Sequence, residues 1–173
     1  MAIEFVQEDG TGKSDATSYA SLAQYRQYWL NKGTDYSTTA DDTIKAYLNS
    51  ATEYIDNIYR FKGSKTDEDQ ALEWPRFNVL KGDSEHSYNI YMGAVLDYYD
   101  SDEMPDNLVN ACCYLAAKVA DGELNSTETN LRSISIGPVS KTYSGSSSSK
   151  SYSAVDKFLK NLILTGNKLV RVN

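Results

Sequence analysis

A mainly α fold is what this chain of 173 residues predicts: a small helical bundle with a β-hairpin-like insertion and an extended C-terminal arm. Three observations carry that expectation. Apolar residues recur at alternating spacings of three and four through two long segments, 41–62 and 105–120, as the buried face of a helix requires. Between them, 77–102 is rich in tyrosine and other strand formers. After the flexible run Gly145-Ser146-Ser147-Ser148-Ser149, a short helical pattern leads into a tail that alternates basic and apolar residues. The expected organisation is a core over 1–144 with its insertion at about 77–102, a serine-rich linker over 145–152, and a C-terminal helix and docking tail over 153–173.

The elements follow in order. Residues 2–6 read as extended, and Glu8-Asp9-Gly10-Thr11-Gly12 as a turn. Ser21 and Gln24 have capping-box spacing, so a first helix opens there, places Leu22, Tyr25 and Trp29 on one face, and stops at Gly33. The second helix starts near Asp41 and buries Ile44, Tyr47, Leu48, Ala51, Ile55, Ile58 and Tyr59, with Gly63 closing it. Thr66-Asp67-Glu68-Asp69 looks like the acidic first turn of a short helix that Trp74-Pro75-Arg76 ends. Residues 87–91 and 94–98 read as the arms of a hairpin. Pro105 suits the first position of the third helix, whose stripe is Leu108, Cys112, Leu115, Ala116 and Val119. Residues 132–143 alternate around Gly137-Pro138 as a second hairpin or arm. Ser153 caps a last helix that carries Val155, Phe158, Leu159, Leu162 and Ile163 on one side.

Composition excludes several functions. Lys and Arg total 17 against 24 Asp and Glu, a formal charge of −7, which argues against a generic nucleic-acid binder with a broad basic face. No apolar run approaches the roughly 20 residues of a membrane span, and the first residues lack the pattern of a secretory signal. These features predict a soluble protein made in a cytoplasm. Cys112 and Cys113 are adjacent and point to different faces of a helix, so they read as two small core residues. His86 is the one imidazole, which leaves no multi-histidine metal site and little room for a catalytic triad. Gly10-Thr11-Gly12-Lys13-Ser14 resembles the end of a phosphate-binding loop, but Gln7 stands where the first glycine of that motif belongs. Asp97, Asp100, Asp102, Glu103 and Asp106 lack the spacing of a calcium loop and read as a solvated surface. No enzyme, cofactor or metal is expected. Tyrosines number 14, against four Phe and two Trp, a bias toward surfaces that are wet when free and covered when assembled.

Several signatures occur in one order: Glu8-Asp9-Gly10-Thr11-Gly12; Ser18-Tyr19-Ala20-Ser21-Leu22; Ala51-Thr52-Glu53-Tyr54-Ile55-Asp56 with Tyr59 and Gly63; Gln70-Ala71-Leu72-Glu73-Trp74-Pro75-Arg76; Pro105; and Gly137-Pro138. Together they resemble the tailed-bacteriophage head–tail connector (adaptor) family, often labelled DnaT-like single-stranded DNA-binding protein. The chain departs from that pattern over 82–101, where its tyrosine-rich insertion is longer.

The resemblance implies a structural virion protein of the neck, assembled in the host cytoplasm as a ring of identical subunits, dodecameric like the portal. It implies that the C-terminal segment engages the portal protein, that tail or nozzle proteins bind the other side, and that DNA passes the lumen without specific binding. On that reading Phe158, Leu162, Ile163, Lys168, Leu169, Val170 and Arg171 would contact the portal, and Tyr88, Tyr91 and Tyr98 a tail protein or neighbour. Ile55, Trp74, Pro75 and Arg76 would be architectural. Two alternatives stand beside it. One is a single-stranded DNA-binding module, which needs aromatic platforms beside cations. The other is a nucleotide hydrolase using residues 10–14.

Overall fold

The computed structural model describes residues 3–82, 88–89, 93–94, 96–122, 133–136, 139–142 and 152–168. It is helix-dominated, with the order α1 (Leu22–Leu30), α2 (Asp41–Ile58), β1 (Tyr59–Phe61), β2 (Ser64–Lys65), β3 (Arg76–Phe77), β4 (Tyr88–Asn89), β5 (Gly93–Ala94), α3 (Asp106–Ala120), β6 (Ser133–Ile136), β7 (Val139–Thr142), α4 (Ser153–Leu159) and β8 (Ile163–Lys168). The strands pair antiparallel as four two-stranded ribbons: β1 with β8, β2 with β3, β4 with β5 and β6 with β7.

The core forms where α2 packs on α3. Ile44, Leu48, Ala51 and Ile55 of α2 are fully buried, as are Leu108, Ala111, Cys112, Leu115 and Ala116 of α3. Alanines on both seams let the helices approach closely, while Thr52 and Cys112 pair their polar atoms across it (Oγ1 to Sγ 3.4 Å). α1 opens with the predicted capping box, in which Gln24 N–H donates to the Ser21 hydroxyl. Its Trp29 lies against α3 and donates from Nε1 to the Cys113 carbonyl (3.1 Å).

Three predicted elements differ from the structure. The second helix stops at Ile58 instead of reaching Gly63, because Tyr59 and Phe61 turn inward as a strand against β8. Burying two aromatics on one face of a strand outweighs one further helical turn. The short helix expected after Thr66 does not form. The Gln70 side chain instead accepts from the Thr66 and Asp67 amides and donates to the Leu72 and Pro75 carbonyls, while Ala71 N–H goes to Lys13 O. The segment's backbone groups are satisfied without helical bonds. Tyr152, not Ser153, is the N-cap of α4, and no side chain caps it.

The C-terminal segment is corrected most. The helix stops at Leu159, short of the expected Leu162 and Ile163. α4 packs on α3; Val155 and Leu159 of the helix and Leu162 of the turn after it are fully buried, and Phe158 of the helix and Ile163 of β8 pack against that core. Leu162 therefore has no surface to offer a partner, and Phe158 and Ile163 are largely spent on the chain itself. β8 pairs with β1, with Lys168 opposite Tyr59 and Ile163 opposite Phe61, so its main chain adds an edge to its own fold. The physical reason is apolar area: the side chains of α4 and of Leu162 find their burial in the chain's own core. Leu169, Val170, Arg171 and the serine-rich run lie outside the described residues.

The insertion is a short hairpin, with Tyr88 opposite Ala94 and Asn89 opposite Gly93. Its base is tied by Lys81 N–H to Asp97 O (2.9 Å) and Tyr99 N–H to Val79 O (2.9 Å). Tyr98 is exposed there, and Tyr91 and His86 lie outside the described residues. β6 and β7 form the second hairpin with Gly137-Pro138 between Ile136 and Val139. Among the described residues no helix is long and apolar enough to cross a membrane.

Candidate functional site

The loop that resembles a phosphate cradle is filled from within. Glu8 is fully buried, and its Oε1 accepts from the amides of Gly10 (2.9 Å) and Gly12 (3.0 Å), while Oε2 accepts from Lys13 N–H (2.9 Å). Gly10 (φ 105°) and Gly12 (φ 75°) turn these amides inward, a conformation that side-chain-bearing residues avoid. A Cβ on Gly10 would also meet the Asp102 carbonyl oxygen at 1.8 Å. The Lys13 ammonium bonds Asp9 (2.7 Å) and holds that carboxyl down at about 2. The amides of residues 10–13 and the Lys13 ammonium are thus engaged by the chain's own Glu8 and Asp9. The segment is a self-satisfied turn.

A second polar cluster organises the corner at Trp74-Pro75-Arg76. Tyr19 OH donates to Asp56 Oδ1, Glu73 N–H donates to Asp56 Oδ2 (3.1 Å), and Trp74 N–H donates to Tyr19 Oη (3.2 Å). Burial pushes the Asp56 carboxyl up to about 6 and, with the neighbouring Asp56 charge, raises the Tyr19 phenol well above its usual range. Trp74 is fully buried, sits edge-on to Phe61 and Tyr99, and donates from Nε1 to Glu103 O (2.8 Å). Ile55 lies fully buried on the same helix as Asp56. Arg76 then ties the corner to the end of β1: Nε donates to Lys62 O (2.8 Å), Nη2 to Gly63 O (3.0 Å), and Nη1 to the Glu73 carbonyl and carboxylate (2.9 Å each). This arrangement positions β3; its polar atoms face one another and not a cleft.

Cys112 and Cys113 are both buried, unbridged thiols, and burial pushes Cys112 up to about 11. Such thiols are poor nucleophiles at neutral pH. Among the described residues no three His, Cys, Asp or Glu side chains come together as a metal-ligand set. Asp97, Asp100, Asp102 and Asp106 are exposed, and Glu103 faces Lys81 (3.1 Å).

The cations divide into two groups. Lys13, Arg26, Lys45, Lys65, Arg76, Lys81 and Lys118 each have a carboxylate within ion-pair distance. Lys32, Arg60, Lys157 and Lys160 have none among the described residues, and all four are exposed; Lys32 lies over the Tyr28 ring (4.9 Å). Arg60 stands between inward-facing Tyr59 and Phe61, so it projects from the opposite, outer face of the β1–β8 ribbon. Leu164, next after half-buried Ile163, is 45% exposed on the partner strand.

The β2–β3 hairpin continues directly from β1 and sets Phe77 opposite Ser64. The Phe77 carbonyl approaches Gly63 so closely that a Cβ there would meet it at 2.2 Å. Phe77 is 40% exposed, and Tyr98, at 43%, is the other exposed aromatic among the described residues. Folding thus brings the backbone of exposed Phe77 to Gly63, three positions after Arg60. Arg60 and Phe77 are 17 positions apart, and only the turn at Gly63, which the sequence does display, hints at their approach.

Over residues 3–172 the chain matches the family described as "putative DnaT-like ssDNA binding protein". No curated protein and no solved structure matches it. The family match corrects the expectation of a head–tail connector: the description it carries is single-stranded DNA binding, which conflicts with a structural virion protein joined to portal and tail. With nearly the whole length covered, the chain belongs to the DnaT-like ssDNA binding protein family.

Proposed function

We propose that the protein binds single-stranded DNA, acting by contact and without chemistry on the strand. The observation that carries this reading is the family match over residues 3–172. The physical objection from the sequence is the charge of −7. That objection weakens at physiological ionic strength, where charges beyond about 8 Å are screened and local contacts survive. Single strands offer exposed bases as well as phosphates, and aromatic stacking supplies affinity that does not depend on net charge.

The test is a fluorescence-anisotropy titration of a labelled oligothymidylate and of a duplex of equal length, at two salt concentrations. The reading predicts binding to the single strand, weaker binding to the duplex, and affinity that falls with salt. Equal or tighter binding to the duplex, or no binding at the lower salt, overturns it.

A further inference from the structure

We infer that the strand lies across the outer face of the β1–β8 ribbon and the adjoining β2–β3 hairpin, with Arg60 taking a backbone phosphate and Phe77 stacking against a base. The inference rests on the single-stranded DNA reading and adds where and how the contact is made.

Two selections on the molecule lead to Arg60 and Phe77. The first is by charge. A cation already held by a carboxylate offers a phosphate little, and Arg60 has no carboxylate partner among the described residues. Its guanidinium matches phosphate oxygens with two parallel donors, which a lysine ammonium cannot. The nearby Lys65 and Arg76 share one carboxylate, Glu73 (3.3 and 2.9 Å), so these three side chains at the paired strands sum to one positive charge. The exposed acids Asp67, Glu68 and Asp69 bound the face beyond β2.

The second selection is by exposed aromatic surface. Tyr98 stands between exposed Asp97 and Asp100, where a phosphate is repelled. Phe77 follows Arg76 on β3, where Lys65 and Arg76 face the single carboxylate of Glu73. Phe77 is also held in place: Arg76 clamps the Lys62 and Gly63 carbonyls, and the Phe77 carbonyl packs on Gly63. Leaving a phenylalanine ring 40% exposed on a clamped strand costs stability, and a stacked base would recover it. From Arg60 to Gly63 the chain advances three residues, roughly 10 Å if fully extended, so both side chains serve one short stretch of nucleic acid. A ring face can take a base only when that base is unstacked, so the same geometry favours single strands over duplex.

The experiment measures the affinity of the full chain for labelled oligothymidylate with Arg60→Glu, Phe77→Ala and a charge-matched control, Lys45→Glu. Lys45 pairs with Asp42 near the start of α2, roughly 20 Å along the helix from its β1 end. Arg60 and Phe77 are exposed, so circular dichroism melts should match the wild type. The inference predicts at least about a fivefold loss of affinity for Phe77→Ala. For Arg60→Glu it predicts a similar loss and a salt slope shallower by about 0.7, the value of one single-strand phosphate contact. Lys45→Glu should bind as the wild type does. Wild-type binding with both face variants unchanged overturns the placement and leaves the single-strand reading standing. Equal losses in all three variants also overturn the placement, since they would report net charge alone. A wild type that binds no single strand overturns both.

Discussion

Asp56 is a carboxylate in a place where ionisation is costly. Burial raises its pKa from 3.8 to about 6, against the lowering effect of the bonds from Tyr19 and Glu73. The folded chain therefore holds this proton more tightly than the unfolded chain. The group's contribution to stability is fully present below about pH 4 and is lost as pH rises through about 6. Comparing wild type with Asp56→Asn isolates it. Relative to the variant, the wild type should lose on the order of 2 kcal/mol between pH 4 and pH 7 in denaturant unfolding. A difference that stays constant with pH would contradict the burial argument.

Trp74 makes a simpler prediction. With its ring fully buried between Phe61 and Tyr99, Trp74→Ala should cost about 3–5 kcal/mol, read as a shift in denaturation midpoint. Glu8 was invisible in this role from sequence alone. A glutamate before Gly10-Thr11-Gly12 reads as a solvated turn residue, and only the positive φ of two glycines reveals three amides aimed at it. Glu8→Ala leaves these donors unpaired and should cost about 2–4 kcal/mol.

At the scale of elements, periodicity was a reliable guide where a helix has one partner face. α2 and α3 have long stripes whose members are buried together, so spacing alone reveals them. It failed where long-range pairing competes with local preference. Tyr59 continues the helical stripe of α2, yet Tyr59 and Phe61 are also strand formers, and β8, about a hundred positions away, decides between the two. The 66–75 segment carries an acidic helix-start signature, but one glutamine side chain replaces the backbone ladder.

The C-terminal helix shows the limit most plainly. The same apolar face suits a partner's groove or the chain's own α3, and sequence holds no term that chooses. Because Val155, Leu159 and Leu162 are fully buried, truncation after Ser149 should remove several kcal/mol from a typical total of about 5–15. Thermal unfolding monitored at 222 nm should then lose cooperativity or shift down by more than about 10 °C. A truncated chain that melts like the full one would show that α4 and β8 contribute no stability.

For the whole molecule, the two charge scales must be kept apart. The total of −7 opposes any polyanion at low ionic strength, while the exposed cations without carboxylate partners are few: Lys32, Arg60, Lys157 and Lys160 among the described residues. A binder built this way relies on one or two phosphates and on stacking, so its salt dependence is shallow. Composition gave the first half of that statement and pointed away from nucleic acid; pairing of β2 with β3 supplies the second half by carrying Phe77 to the end of β1. The most direct test of single-strand binding is the anisotropy titration of wild-type protein against oligothymidylate and matched duplex across a salt series. Expected is saturable binding to the single strand, tighter than to the duplex, with a log–log salt slope no steeper than about −1.4, corresponding to two or fewer phosphate contacts. Absent binding, or a preference for duplex with a steep slope, would contradict it.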